Sequence, residues 1–235
     1  MNNPGSSMQL ITVVAGYAPS GSLSKVAFRW IQALREISTY LVLVFDQDNL
    51  DDLKKLFADD HSVAIICERH GAYDFGSYKR GLKLAAKRDW IKRVHHVLLC
   101  NDSVIGPFTD LYSILKEMVV DTTSVWGLTD SHIYRPHLQS YFLLIQRSVI
   151  ERDEVRTFFG NVTPQPCRHD VIQCYELGFS HLMTTLGLKW RAWLPINSMF
   201  DPQKGEQMVN STAYPVCSLA AGSPVIKKRA LKELS

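Results

Sequence analysis

Four short apolar runs, separated by segments with helical spacing, constrain the fold of the first hundred residues more than any other feature. The runs are residues 10–15, 40–45, 62–68 and 94–100, and each gives way to glycine or polar residues. Such continuous apolar runs are typical of strands buried on both faces of a parallel sheet. The alternation therefore predicts an α/β fold with a mostly parallel central sheet flanked by helices.

The rest of the chain is less regular. Its spacing predicts helices at about 107–119 and at 170–186, and strands at 125–128, 138–146 and 188–195. We find no repeat or linker, so we expect one domain over residues 10–235 after a flexible leader at 1–9. A first half, residues 10–105, would be followed by a second half, residues 106–235.

Composition narrows the class of protein. The 235 residues are 46% hydrophobic and 21% charged with a formal net charge of +3, which is ordinary for a soluble protein and gives no reason to expect a nucleic-acid partner. The five cysteines form no CxxC pair, as expected of a reduced cytoplasmic protein. No segment approaches the roughly 18–20 apolar residues of a membrane span, and the first nine residues lack the features of a secretory signal.

Polar residues follow the predicted strands. Gly16 and Tyr17 follow the first strand, Asp46 the second and Asp102 the fourth. Ligands of parallel sheets bind beyond the carboxyl ends of the strands, so these residues are candidates for one site. Each aspartate taken alone is also a common turn residue.

The stretch "ERHGAYDFGSYKRGL" carries a further group of candidates, namely Tyr73, Asp74, Gly76 and Lys79. Its glycines recur every five residues, so it is neither a dinucleotide fingerprint nor a P-loop. Asp74 precedes a predicted helix, where its carboxylate would either cap the helix or face a ligand.

The other candidate chemistry is sparse. No GxSxG or HExxH motif occurs. A structural or surface role is the default for each histidine. His137 is the best candidate for a functional site, because it comes before a predicted strand that carries the polar Gln139. Glu176 lies in an otherwise apolar helix, either on the solvent face or directed into a cleft.

Six segments in order carry a family resemblance: "YDFGSYKRGL", "LLCNDSVIGPF", "VWGLTDS", "HLQSYFLLIQRSVI", "YELGFSHLMTTLG" and "AGSPVIKKRAL". Together they resemble the rhamnan synthesis protein F family, glycosyltransferases of bacterial surface polysaccharide assembly, over nearly the whole chain. The resemblance implies a GT-A-like fold, with a Rossmann-like, nucleotide-binding first half and an acceptor-binding second half. It also implies transfer of L-rhamnose from dTDP-rhamnose, with inversion, to a growing glycan or lipid-linked glycan. The enzyme would act in the cytoplasm, with peripheral contact to the membrane.

The resemblance also implies a place for a cation. GT-A enzymes usually end their fourth strand with Asp-x-Asp, which holds the ribose and a divalent ion. Here that position reads Asn101-Asp102-Ser103, without the outer acids. Asp102 is therefore the expected ligand of Mg²⁺ or Mn²⁺, although one carboxylate is a thin ligand set. The alternative is that Lys79 or Arg80 neutralises the diphosphate without a metal.

The remaining roles follow from the same resemblance. The nucleotide sugar would contact the residues at the strand ends and in the glycine-bearing stretch: Gly16, Tyr17, Asp46, Tyr73, Asp74, Gly76, Lys79, Asn101, Asp102 and Ser103. His137 and Gln139 would line the donor sugar or acceptor. Glu176 is the expected general base, with Asp130 as the alternative and Asp170 in reserve.

Three other functions stay open at this stage. The chain could use a GDP- or UDP-linked sugar, or be an inactive sugar-binding domain that keeps the fold. It could also be a regulatory module that binds the nucleotide alone.

Overall fold

A computed structural model describes residues 8–199 and 210–232. The strands are β1 Leu10–Gly16, β2 Tyr40–Phe45, β3 Val63–Cys67, β4 His96–Asn101, β5 Val104–Ile105, β6 Val125–Ser131, β7 His137–Leu138, β8 Phe142–Gln146, β9 Trp190–Leu194 and β10 Ile226–Lys227. The helices are α1 Lys25–Ile37, α2 Asp51–Leu56, α3 Tyr73–Lys87, α4 Leu111–Val120, α5 Arg147–Ile150, α6 Asp153–Gly160, α7 Arg168–Val171, α8 Leu177–Thr185, α9 Pro215–Ala220 and α10 Lys228–Lys232.

Eight of these strands form one mixed sheet in the order β3-β2-β1-β4-β8-β6-β7, with β9 paired to β6. The strands β3, β2, β1 and β4 are mutually parallel. β8 runs antiparallel to both β4 and β6, and β6 runs parallel to β9. The α/β fold with a mostly parallel sheet is therefore confirmed. β5 and β10 pair with each other in a separate two-stranded sheet.

Helices cover both faces of the large sheet, and the strands alternate between two apolar cores. Ile11 and Val13 of β1 join a core with α3, α6 and α8, whereas Leu10 and Val14 join a core with α1 and α4. Because neighbouring strand residues point to opposite faces, a strand covered on both sides must be apolar throughout. The continuous apolar runs of the sequence have this cause.

The structure departs from the sequence-based boundaries at three places. The helix expected from about residue 107 begins at Leu111, because the Asp110 carboxylate accepts the backbone N–H groups of Tyr112 and Ser113 and caps it there. The single strand expected at 138–146 is two strands, β7 and β8. The single helix expected at 170–186 is α7 and α8 with a π-helical segment, Ile172–Glu176, between them.

The expected leader, residues 1–9, lies partly outside the described residues, which begin at 8. Gln9 belongs to the folded part, because its carbonyl accepts the backbone N–H groups of His95 and His96. Within the described residues, no helix combines the length and apolar character needed to cross a membrane.

Gly81 allows α3 to approach the sheet closely, which gives a test of this packing. A Cβ at Gly81 would lie 2.2 Å from Cγ1 of Val13 on β1, so the helix or the strand would have to shift. We expect Gly81→Ala to lower the free energy of unfolding by about 1–3 kcal/mol, the usual cost of overpacking a core. Urea denaturation measures this change.

The matched control is Gly160→Ala at the end of α6, where an added Cβ meets nothing within 4 Å. That variant should stay within about 0.5 kcal/mol of the parent, as surface substitutions usually do. Equal stability of the two alanine variants would contradict the close approach of α3 to β1.

Candidate functional site

The ends of β1 and β4 lie side by side and create the candidate site. From β1 the chain adds β2 and β3 on one side of the sheet and then returns to the other side of β1 as β4. The crossover direction therefore reverses between β1 and β4. Ligands of open α/β sheets bind at such a reversal, beyond the carboxyl ends. Here the backbone N–H of Asp102 donates to the Ala15 carbonyl over 3.0 Å, and that of Tyr17 donates to Asp102 Oδ2 over 3.3 Å.

Asn101 links this point to the start of α3. Its Nδ2 donates to Asp74 Oδ2 over 2.6 Å, and its Oδ1 accepts both the backbone N–H and the hydroxyl of Ser103. Trp30 of α1 fixes the strand end from the opposite core, because its indole N–H donates to the Asn101 carbonyl over 3.1 Å. Asp74 therefore faces the site and does not cap α3, whose N-cap is Ala72.

Lys227 is a member of this site that the sequence analysis did not single out. The antiparallel pairing of β10 with β5 sets Lys227 opposite Val104, just after the end of β4. Its ammonium donates to Ser103 Oγ and lies 4.4 Å from the centre of the Tyr141 ring. The only signal in the sequence was the basic "KKR" that follows an apolar "PVI", which also fits a solvated helix.

Three carboxylates surround Lys227, and we call Asp74, Asp102, Glu176 and Lys227 the Lys227 cluster. Burial lowers the pKa of Lys227 to about 8, against the opposite effect of the nearby Asp74 and Glu176 charges. Burial also raises the pKa of Asp74, and it raises the pKa of Asp102 to about 6. The four charges are thus close enough to perturb one another in partly dehydrated surroundings.

Glu176 enters the cluster from the π-helical segment. Ser140 holds its Oε2 through the backbone N–H at 2.7 Å and the hydroxyl at 2.5 Å, and Tyr78 in turn donates to the Ser140 carbonyl. Burial opposes ionisation, but these hydrogen bonds and the one with His137 lower the pKa of Glu176 overall. Of the two placements left open for Glu176, the structure shows the one directed inward.

His137 lies against Glu176. Its Nε2 is 3.5 Å from Glu176 Oε1, and its Nδ1 donates to the Arg135 carbonyl over 2.8 Å. Burial opposes a charge on the ring, but the contact with Glu176 raises the pKa of His137 overall. This side chain therefore fixes the orientation of Glu176 and helps to keep it ionised.

Asp130 and Gln139 form a neighbouring polar group at the end of β6. Asp130 Oδ1 accepts the backbone N–H of Ile196 over 2.7 Å, and its Oδ2 lies 3.6 Å from His132 Nε2. Gln139 accepts a hydrogen bond from Thr129 Oγ1 and donates to Asn210 Oδ1. Gln139 is the sequence neighbour of Ser140, which binds Glu176 of the Lys227 cluster.

For four of the expected ligand-binding residues, the side chain or Cα position contacts groups outside the Lys227 cluster. The Asp46 carboxylate accepts the backbone N–H groups of His70 and Gly71 and so holds the loop before α3. Gly16 and Gly76 serve packing: an added Cβ would lie 2.3 Å from the Phe45 ring and 2.5 Å from Ala72 Cβ, respectively. Lys79 donates to the Val162 carbonyl over 2.9 Å, on another face of α3.

Two aromatic residues expected at the nucleotide are exposed. Tyr17 follows β1 directly and is 61% exposed, and its backbone contacts Asp102. Tyr73 is 44% exposed and adopts a left-handed φ of 51°, an uncommon conformation for a bulky residue, directly before Asp74. Both rings are accessible to a ligand at the sheet edge.

The residues present do not fit a protein-held divalent cation. Hard cations need several oxygen ligands, and Asp102 has the neutral neighbours Asn101 and Ser103. The two other carboxylates of the cluster share their surroundings with the Lys227 ammonium, which would repel a second cation. Within residues 8–199 and 210–232, no group of three or more His, Cys, Asp or Glu side chains has a geometry suited to a metal ion.

Comparison with known families supports the resemblance that the six sequence segments indicated. The model of one family, described as rhamnan synthesis protein F, matches residues 44–235. The chain belongs to this family. The match includes every member of the Lys227 cluster, and it covers the second half of the chain and the first half from residue 44 onward.

The chain is also similar to one further protein in sequence and to two in structure. The virulence protein VirA of Vibrio anguillarum is 27% identical over 212 residues, which is 87% of this chain and 66%, just under two thirds, of that relative's length. The mannosyltransferase Ktr4p of S. cerevisiae is 8% identical with a TM-score of 0.45, and the match covers 67% of this chain and 61% of Ktr4p. The 4-diphosphocytidyl-2C-methyl-D-erythritol synthase of Anaerococcus prevotii is 12% identical with a TM-score of 0.48, covering 78% of this chain and 88% of that protein.

Proposed function

We propose that this chain is the catalytic domain of a nucleotide-sugar glycosyltransferase. The observation that carries the proposal is the Lys227 cluster, which lies at the crossover reversal of the sheet inside a chain of the rhamnan synthesis protein F family. Ligands of open α/β sheets bind beyond the carboxyl ends of the strands, and the Lys227 cluster and the exposed rings of Tyr17 and Tyr73 lie at the ends of β1 and β4 and at the start of α3. The GT-A-like division into a donor half and an acceptor half is part of the same proposal.

The donor that we propose is dTDP-L-rhamnose, and the acceptor is a growing cell-surface polysaccharide. The family description, which names rhamnan synthesis, supports this choice of sugar. The exposed rings of Tyr17 and Tyr73 are available to stack on the base, and Asp102 is available to accept hydrogen bonds from the ribose. A GDP- or UDP-linked sugar is the alternative within the same chemistry.

The proposed reaction is a direct displacement with inversion at the anomeric carbon. Glu176 takes the proton of the acceptor hydroxyl while that oxygen forms the new bond to the anomeric carbon. The bond from this carbon to the diphosphate oxygen breaks, and its electron pair leaves with the diphosphate. His137 and Ser140 hold Glu176 ionised and oriented for this role. Asp130 is the alternative base.

Selective stabilisation by a nucleotide tests the proposal first. A ligand that binds only the folded chain raises its melting temperature by mass action, so dTDP and dTDP-rhamnose should raise it more than UDP, GDP or their sugars do. Differential scanning fluorimetry with and without Mn²⁺ measures the shifts.

A preference for UDP or GDP would change the proposed donor but leave the proposed glycosyltransferase activity unchanged. Sugar binding without transfer or donor hydrolysis would favour an inactive carbohydrate-binding domain. Binding of dTDP without preference for any sugar would favour a regulatory nucleotide-binding module. No shift with any nucleotide would refute the proposed function.

The pH dependence of kcat at saturating donor and acceptor identifies the general base. A base must be ionised to act, and the pKa of Glu176 lies below its ordinary value, so acidification from pH 7 to 5.5 should leave kcat nearly unchanged. A fall of kcat within this range, together with loss of activity in Asp102→Asn, would instead assign the base to Asp102, whose pKa is about 6. We expect Glu176→Gln to lower kcat by about 10²–10⁴-fold, the usual contribution of a positioned base.

Asp130→Asn is the matched comparison for that measurement, because it also replaces one carboxylate with an amide. It should reduce kcat far less than Glu176→Gln does. The opposite order of the two variants would assign the base to Asp130.

We further propose peripheral contact with an anionic membrane through α3. Lys79, Lys83 and Lys87 recur every four residues and line a cavity of about 650 Å³ beside α3. Each lysine near an anionic surface contributes about 1 kcal/mol to membrane binding.

Lys83→Gln with Lys87→Gln should therefore weaken co-sedimentation with phosphatidylglycerol vesicles about thirtyfold, whereas Lys54→Gln with Lys55→Gln on α2 should not. Equal binding to phosphatidylcholine vesicles would contradict an electrostatic contact.

A further inference from the structure

Lys227 places a positive charge just beyond the end of β4, at the edge of the sheet where a ligand would bind. Its strand, β10, pairs with β5, which begins three residues after Asn101, the last residue of β4. The ammonium donates to Ser103 Oγ and contacts the face of the Tyr141 ring. A lysine with one neutral hydrogen-bond partner and an aromatic neighbour retains donor capacity for an anionic ligand, because an ammonium has three N–H groups.

The groups around Lys227 are held in place by the surrounding protein. Its side chain is partly buried, and Asp74, Asp102 and Glu176 lie close enough for their charges to favour the protonated amine. Each of these carboxylates has its own protein donor: Asn101 for Asp74, the Tyr17 backbone for Asp102, and Ser140 for Glu176. The carboxylates are therefore held in place by neutral groups, and Lys227 is not the sole partner of any of them.

Further positive charge surrounds the same point. Lys228 lies near Asp102 and Arg168 lies near Asp74, close enough for each to lower the pKa of that aspartate. The three carboxylates of the cluster thus face three basic side chains. A divalent cation at Asp102 would have to enter beside the Lys227 ammonium, whereas a diphosphate would approach an existing positive group.

We propose that Lys227 binds the diphosphate of the donor and stabilises its charge as it leaves, so that the chain needs no divalent cation for this step. This inference rests on the proposed glycosyltransferase function. When the bond between the anomeric carbon and the diphosphate breaks, the leaving oxygen gains the electron pair and becomes more negative. A fixed ammonium, oriented by Ser103 and Tyr141, stabilises that charge without rearranging at the moment of reaction. The sequence had suggested Lys79 or Arg80 for this role, but Lys79 contacts Val162 and Arg80 pairs with Glu68.

The test compares binding of dTDP with binding of dTMP, because only dTDP carries the second phosphate. In EDTA, the wild-type chain should bind dTDP at least tenfold more tightly than dTMP. Lys227→Met should abolish that difference while changing the dTMP affinity less than threefold, since a charge-assisted hydrogen bond of this kind accounts for about a tenfold difference or more. Lys227→Arg keeps the charge and should retain most of the difference. Isothermal titration calorimetry measures all of these affinities.

Lys116→Met is the matched control, because Lys116 is also a lysine over a tyrosine ring, 5.5 Å from the centre of Tyr112 on α4. It should leave the ratio of the two affinities unchanged. A purely structural role for Lys227 would lower the melting temperature of Lys227→Met without changing that ratio in the folded fraction, and would overturn the inference.

If Lys227→Met fails to fold, Lys227→Arg and the wild-type chain still test the inference. If dTDP binds more tightly than dTMP only when Mn²⁺ or Mg²⁺ is present, the inference is wrong and the proposed function stands. If UDP or GDP replaces dTDP as the preferred nucleotide, the same comparison is made with UMP or GMP. If no nucleotide binds under any condition, the proposed function and the inference fail together.

Discussion

The pairing of β1 with β4 is the constraint on which the rest of the site depends. Because both strands are parallel and end at the same level, the backbone N–H of Tyr17 donates to the Asp102 carboxylate at the edge of the sheet. Asn101, the last residue of β4, then connects this edge to Asp74 and to Ser103, and Ser103 receives Lys227. A shift of one residue in the β1–β4 register would turn these side chains to the opposite face of the sheet and separate the group.

The second half of the chain completes the site through contacts that are distant in sequence. The Ser140 hydroxyl and backbone N–H hold Glu176, and the Ser140 carbonyl accepts from Tyr78 of α3. The two halves therefore meet at Ser140. The π-helical segment at Ile172–Glu176 lies in the same region, and such segments are frequent at functional sites because they change the direction in which a side chain points.

Several aspartates show how one residue type serves different purposes at strand ends and helix starts. Asp46 holds a loop and Asp110 caps α4, so for these two the turn or cap role is what the structure shows. Asp74 and Asp102 instead retain raised pKa values in partly buried surroundings. Burial raises the pKa of both carboxyl groups, and the nearby basic side chains and hydrogen-bond donors offset this rise only in part. Local sequence does not distinguish these cases, because the decisive partners lie far along the chain.

The four apolar strands, their order with the first helices and the edge at which Asp102 lies were all predictable from the sequence. Apolar runs and helical spacing are local properties, and the hydrophobic effect acts on them wherever the chain folds. Three features became visible only in the folded chain: Lys79 turns away, Glu176 turns inward against Ser140 and His137, and Lys227 joins three carboxylates. These outcomes depend on contacts between residues 36 to 153 positions apart, or on the direction of a side chain around a helix. The short pairing of β10 with β5, two residues on each strand, is too brief to leave a pattern in the sequence, yet it sets Lys227 beside the end of β4.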